Sequence, residues 1–152
     1  MSALPAHVAV TNLLHRYAEL IDAGDYDGIG ELLAHAVITT DGSSDEIAGA
    51  AAVTAMYERS TRRYPDGTPR SKHVITNPII EVDDDAGTAT CRSYYTVLQQ
   101  TADLPLQPII TGRYRDEFTH VDGEWRFTRR HMAVDQVGDL SHHLLFELPP
   151  RD

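Results

Sequence analysis

The spacing of apolar residues changes once along the chain, and this change limits the folds that the sequence can adopt. Up to about residue 63 the apolar residues recur at intervals of three and four, which indicates amphipathic helices. Beyond residue 70 they alternate, which indicates strands. The predicted helices cover 5–23, 26–34 and 48–63. The predicted strands cover 37–40, 72–83, 88–101, 106–121 and 124–135. This order predicts an α+β fold.

Turn residues connect the long strands into an antiparallel meander. Asp84 to Gly87 and the pair Asp122-Gly123 are typical of hairpin turns. A sheet of such long strands curls, so we expect a cone-shaped α+β barrel with the three N-terminal helices packed on a strongly curved, mostly antiparallel sheet. The length of 152 residues suits a single domain, 1–152. The open end of the cone is a place for a small-molecule site.

The charge balance argues against nucleic acid and membrane partners. The chain has 13 Lys and Arg against 23 Asp and Glu, a formal net charge of −10, which repels phosphate groups and anionic lipids. No stretch approaches 18 apolar residues, and the first ten residues do not resemble a signal peptide. A single cysteine, Cys91, excludes an intrachain disulfide. We therefore expect a cytoplasmic protein.

The eight histidines do not form a recognisable metal motif. His142 and His143 are adjacent and would point in different directions, and no second cysteine is present. Gly28-Ile29-Gly30 lies inside a helical pattern and is not a dinucleotide-binding loop. We expect no metal and no cofactor.

Three segments carry a family resemblance. They are 16–27 (RYAELIDAGDYD), 72–77 (KHVITN) and 122–127 (DGEWRF). Together with the order of elements, they resemble the SnoaL-like branch of the nuclear-transport-factor-two-like superfamily. That superfamily includes scytalone dehydratase, bile-acid dehydratase, ketosteroid isomerase, limonene-epoxide hydrolase, polyketide cyclases and non-catalytic subunits. The resemblance therefore implies the fold and leaves the reaction open.

The pattern is similar to those of scytalone dehydratase and bile-acid dehydratase at three positions. Both have a Tyr and an Asp five residues apart at the end of the first helix, and a His at the start of the first long strand. Tyr17, Asp22 and His73 occupy these positions here. The resemblance implies that these three residues are catalytic.

The residue types suit proton transfer next to a carbonyl group. A carboxylate beside an imidazole orients it as a general base, and the protonated imidazole can then donate to a leaving hydroxyl. Tyr17 could donate a hydrogen bond to the carbonyl oxygen and stabilise the enolate. The sequence thus predicts a cofactor-independent, dehydratase-like lyase or isomerase acting on a hydrophobic, carbonyl-bearing small molecule through Asp22, His73 and Tyr17.

A structural interpretation of each residue remains open. Tyr17 lies in the apolar stripe of its helix, Asp22 could begin the turn, and His73 could be a surface residue. Scytalone dehydratase has a second pocket His on the next long strand, and bile-acid dehydratase has an Asp there, whereas residues 94–99 contain neither. The alternative is a non-catalytic small-molecule-binding or scaffold domain. Tyr95 is favoured over Tyr94 as a substrate-binding residue, because its strand face is small and apolar.

The last hairpin suggests one further contact and an interface. If Asp122-Gly123 forms a two-residue turn, Asp116 lies opposite Arg129, and Arg130 lies opposite another arginine and is free to bind a substrate anion. Apolar residues expected on the outer face of the sheet predict a homodimer formed through that face. These residues are Ile109, Met132 and Val134.

Overall fold

A computed structural model describes residues 4–149 as three helices and one six-stranded sheet. The helices are α1 (Ala6–Ala23), α2 (Tyr26–Leu32) and α3 (Ala50–Ser60). The strands are β1 (Val37–Thr40), β2 (Ile47–Ala48), β3 (Ser71–Asp83), β4 (Thr88–Gln99), β5 (Gln107–Val121) and β6 (Glu124–Val137). Their order in the sheet is β2-β1-β6-β5-β4-β3, and only the β1–β6 pair is parallel. The predicted α+β architecture is confirmed.

Most predicted boundaries lie within three residues of the observed ones. The sequence did not predict β2, whose two residues pair with β1 and are too few to show a period. The third helix begins at Ala50 and ends at Ser60, inside the predicted range of 48–63.

Helix α1 packs its apolar stripe against the sheet, mainly on β3. The stripe consists of Val10, Leu14, Tyr17, Leu20 and Ile21. The helix ends at Gly24, which has a φ of 72° and whose N–H donates to the main-chain oxygen of Ile21. A side chain at Gly24 would collide with the main-chain oxygen of Gly67. This close approach fixes the last turn of α1, including Asp22, against the loop before β3.

A bulge between β5 and β6 changes the register that the sequence predicted. Asp122 and Gly123 both have positive φ angles, and Val121 pairs with Glu124 as a two-residue turn requires. One extra residue, Thr128, is then inserted in β6. As a result Asp116 pairs with Arg130, and the predicted pairing of Asp116 with Arg129 is wrong.

Arg130 is a buried core residue. Its Nε donates to Oδ1 of Asp116 (2.8 Å) and its Nη2 donates to Oδ2 (2.9 Å), and both side chains are fully buried. The guanidinium carbon lies 4.0 Å from the ring centroid of Tyr114 and 4.3 Å from that of Tyr17. Burial acts to lower the pKa of Arg130, but the Asp116 carboxylate outweighs it and raises that pKa. The freer arginine is Arg129, the reverse of the expectation.

The outer face of the sheet also differs from the expectation. Ile109 is fully buried, and Met132 faces the interior. Bulges in β5, against β4, and in β6, against β5, explain this, because each extra residue reverses the alternation of the side chains. The outer face instead exposes Val74, Ile79 and Tyr94.

Between residues 4 and 149, no helix combines the length and the apolar character needed to cross a membrane.

Candidate functional site

A cavity of about 550 Å³ lies between the inner face of the sheet, α1, α3 and the C-terminal segment. Its volume is in the range of small-molecule sites. Much of its wall is aliphatic or thioether, for example Ile21, Met56, Val97, Ile110 and Met132. The polar lining comes mainly from four tyrosines and two histidines, and none of the described lining residues is a carboxylate.

The side chains of His73 and Asp22 are paired at the edge of the cavity. The Nδ1 of His73 lies 2.7 Å from Oδ1 of Asp22, and the side chains are only 7% and 10% exposed. The Asp22 carboxylate also accepts the main-chain N–H of His73, at 3.0 and 3.1 Å. Because a carboxylate accepts hydrogen bonds, we assign the proton to Nδ1. His73 lines the cavity, and Asp22 lies behind it.

Two tyrosine hydroxyls meet beside this imidazole. The Oη atoms of Tyr17 and Tyr57 lie 2.9 Å apart, and the Tyr17 ring contacts the edge of the His73 ring at a centroid distance of 6.2 Å. Burial raises the pKa of Tyr57 well above its ordinary value, so this phenol stays protonated. The pair shares one hydrogen bond, which leaves the second hydroxyl proton without a partner among the described residues. Sequence reasoning identified Tyr17 but not Tyr57.

Tyr95 forms part of the cavity wall, whereas Tyr94 is 55% exposed on the outer face. The Tyr95 hydroxyl donates to the main-chain oxygen of Ala133 (2.9 Å), and its ring stacks on Tyr114 at 4.5 Å. The Tyr95 side chain crosses β5 at Gly112, where any Cβ would collide with it. Burial raises the pKa of Tyr114 well above its ordinary value. The Tyr114 phenol therefore stays uncharged, and the stacked rings of Tyr95 and Tyr114 form one wall of the cavity.

A second imidazole, His143, enters the cavity from the C-terminal segment. Its ring centroid is 6.3 Å from that of His73, and the residue is 6% exposed. The main chain holds this segment, because the N–H of Arg62 donates to the His143 oxygen (2.8 Å) and that of Leu145 to the Ser60 oxygen (2.9 Å). The position of His143 could not be predicted, since residues 138–149 show no helical or strand period. The only available signal was the adjoining apolar run Leu144-Leu145-Phe146.

The family follows from a direct comparison. The family model described as "SnoaL-like domain" matches residues 2–131. This chain belongs to the SnoaL-like domain family. A search of curated proteins finds no match to it.

Solved structures share the fold of this SnoaL-like domain. One is a nuclear-transport-factor-two-like protein with a cystatin-like fold from Novosphingobium aromaticivorans, with 21% identity, coverage of 84% of this chain and 80% of that one, and a TM-score of 0.69. A candidate scytalone dehydratase from the same organism has 20% identity, coverage of 88% and 86%, and a TM-score of 0.68. A protein of unknown function from Mycobacterium tuberculosis has 25% identity, coverage of 86% and 72%, and a TM-score of 0.69.

The arginine that lines the cavity of this SnoaL-like domain is Arg59, in the last turn of α3. It is exposed, so it lies at the mouth. Arg130, the residue expected to bind a substrate anion, lies behind Tyr17 and Tyr114 and is bound to Asp116. The structure thus brings Tyr17, His73 and Tyr95 to the cavity and separates Arg130 from it.

Residues 4–149 contain no group of three or more His, Cys, Asp or Glu side chains that could hold a metal ion.

Proposed function

We propose that this SnoaL-like domain is a cofactor-independent lyase of the dehydratase type, acting on a hydrophobic, carbonyl-bearing small molecule. The observation that carries the proposal is the Asp22–His73 pair at the edge of a cavity whose other walls are phenolic and apolar. An oriented imidazole in a largely apolar cavity suits proton abstraction.

His73 is the general base in this proposal. Since Nδ1 donates to Asp22, Nε2 carries the lone pair that accepts a proton from the carbon next to the substrate carbonyl. The nearby carboxylate stabilises the imidazolium that forms. The described cavity lining offers no carboxylate to compete for this role.

The Tyr17–Tyr57 pair is the electrophilic group. One of its hydroxyls donates to the substrate carbonyl oxygen, and this hydrogen bond strengthens as enolate charge develops. A donor of this kind contributes about 3 kcal/mol to the stability of a transition state. Tyr57 suits the role because it does not ionise near neutral pH.

Elimination completes the reaction when the His73 imidazolium returns its proton to the departing hydroxyl. The Cα–H and Cβ–O bonds break, a C=C bond forms, and water leaves. One imidazole serves both steps on one face of the substrate, which is a syn elimination. If the substrate has no leaving group, the same proton can return to a different carbon, and the reaction is an isomerisation.

The test is turnover of a bicyclic β-hydroxyketone. The probe 3-hydroxy-1-tetralone loses water to give 1-naphthol, which is followed by its fluorescence. We expect conversion by the wild type and a loss of about 100-fold or more in His73→Ala. The backbone N–H of residue 73 still reaches Asp22 in this variant, so its melting temperature should stay close to that of the wild type.

The matched control is His35→Ala, which removes an exposed histidine outside the cavity and should leave turnover unchanged. Equal turnover in His73→Ala and the wild type would contradict the mechanism. Binding of the probe by the wild type without conversion would favour the alternative, a non-catalytic binding domain.

We also propose that two copies associate through the outer face of β3 and β4. Val74, Ile79 and Tyr94 are 40%, 47% and 55% exposed there. Large apolar side chains grouped on one sheet face are typical of an interface. This patch replaces the one expected from Ile109 and Met132.

A further inference from the structure

We propose that His143 is a second ligand-contacting group of this cavity, and that its imidazole hydrogen-bonds a hydroxyl or carbonyl of the bound molecule. The segment 139–146, here called the C-terminal strap, is then part of the site rather than only its cover. The inference rests on one part of the proposed function, namely that the cavity binds a small ring compound with a hydroxyl or carbonyl group.

The hydrogen bonding of the strap supports this role. Nδ1 of His143 is buried and has no partner among residues 4–149. Its neighbour His142 differs, because its Nδ1 lies 3.4 Å from Oγ1 of Thr101 and it lies outside the cavity lining. Because Nδ1 is closed off from the cavity as well, a ligand can reach the ring only through Nε2, which is not a buried atom and has no hydrogen-bond partner among residues 4–149. A cavity-lining imidazole nitrogen without a protein partner can hydrogen-bond a polar group of the bound molecule.

The strap is attached by groups other than this imidazole. Main-chain hydrogen bonds join it to residues 60–62, and Leu144 forms a bridge with Thr61. The main-chain oxygen of His142 accepts further hydrogen bonds from the Tyr64 hydroxyl (2.6 Å) and from Nε2 of Gln99 (3.0 Å). The side chain of His143 is therefore held in place without being needed to hold the strap.

The charge state of His143 separates its role from that of His73. Burial, and to a smaller extent the neighbouring His73, lower the pKa of His143 to about 4, while Asp22 acts against this change. At neutral pH the ring is an uncharged imidazole with one donor and one acceptor nitrogen. It can thus orient the leaving hydroxyl or the carbonyl, while His73 alone carries the transferred proton.

The experiment compares three ring compounds that do not react: naphthalene, 1-naphthol and 1-tetralone. Dissociation constants are measured by the histidine Cε1–Hε1 shifts in two-dimensional NMR. We expect the wild type to bind 1-naphthol or 1-tetralone at least tenfold more tightly than naphthalene. His143→Leu should reduce this ratio to threefold or less, and the control His142→Leu should keep it. His143→Asn, which restores a polar side chain, should recover part of the ratio and shows that the loss is not due to misfolding.

The proposal is overturned if His143→Leu keeps the wild-type ratio, if the wild type shows no preference for the polar probes, or if it binds none of the three. The proposed elimination fails on a different result, which is the absence of an effect of His73→Ala on turnover. Because these probes are unreactive, either idea can fail while the other stands.

Discussion

Asp22 combines two tasks that are usually divided between residues. Its carboxylate accepts the Nδ1–H of His73, which selects the tautomer, and the main-chain N–H of the same residue, which joins the end of α1 to the start of β3. A side chain that accepts both bonds holds the imidazole by its ring and by its backbone. The orientation of His73 is therefore set before any ligand arrives.

Asp22→Asn should separate the two tasks. The amide oxygen can still accept the main-chain N–H, so the melting temperature should fall by only a few degrees. The amide NH₂ would donate to Nδ1, which places the imidazole proton on Nε2 and removes the base. Turnover of 3-hydroxy-1-tetralone should drop about 100-fold or more, measured as kcat/KM. Undiminished turnover would show that Asp22 is only a tether.

His143 should make the fold sensitive to acid. Its pKa is about 4 in the folded state, against about 6.5 for an ordinary histidine, so the unfolded chain binds a proton first as the pH falls. The neutral His143 ring therefore contributes fully to the free energy of unfolding above pH 6.5, and this contribution decreases as the pH falls toward 4. The groups that act on it are His73 and Asp22.

Urea unfolding at pH 7.5 and pH 4.5 tests this. The wild type should lose more stability between these two values than His143→Leu does, by on the order of 2 kcal/mol. His142→Leu should behave like the wild type, because His142 is only partly buried. An equal loss in the wild type and in His143→Leu would contradict the assignment of His143 as a buried neutral group.

At the level of elements, the hairpin of β5 and β6 depends on one buried ion pair. Arg130→Met should destabilise the fold by about 3–5 kcal/mol, because it leaves the Asp116 carboxylate buried without a partner. The double variant Arg130→Met with Asp116→Leu removes both charges and should recover most of that loss. Free energies of unfolding in urea measure both variants. If Arg130→Met alone left the free energy of unfolding almost unchanged, Asp116 would not be ionised in the fold.

The strands, the hairpin turn and the stripe of α1 could be predicted because each depends on a local pattern. The bulge at Thr128 could not, since it arises where two strands meet and shows no sign in either one. That single residue pairs Arg130 with Asp116 in the core, and it explains why the partner of Asp116 was misassigned. A separate bulge in β5, at Ile109, changed the face expected for that residue.

The strap shows a second limit of sequence reasoning. The positions of Tyr17, Asp22 and His73 were expected because a family pattern marks them. His143 belongs to a segment without a period, and main-chain hydrogen bonds to residues far away in the chain place it. Tyr57 was not expected at the site, because the hydroxyl that it contacts, that of Tyr17, lies 40 residues away in the chain.

At the level of the whole molecule, the outer face should decide the oligomeric state. We expect the wild type to sediment at twice the mass of one chain at micromolar concentration. Tyr94→Glu combined with Ile79→Glu places charge in the exposed patch and should give single chains. Leu106→Glu is the matched control, because Leu106 is 65% exposed in the loop before β5, outside the patch. A wild type that sediments as a single chain would contradict the proposed dimer.

The double hydrogen bond of Asp22 has a consequence for relatives of this chain that lack the proposed activity. Such a protein gains nothing by replacing Asp22 with a residue that cannot accept the main-chain N–H of His73, because the link between the first helix and the sheet would be lost as well. Natural drift should therefore erase the imidazoles and the phenol pair first. Among related sequences, we therefore expect an aspartate at this position to accompany the fold with or without the proposed activity, and both imidazoles and both phenols to be retained together only where that activity is kept.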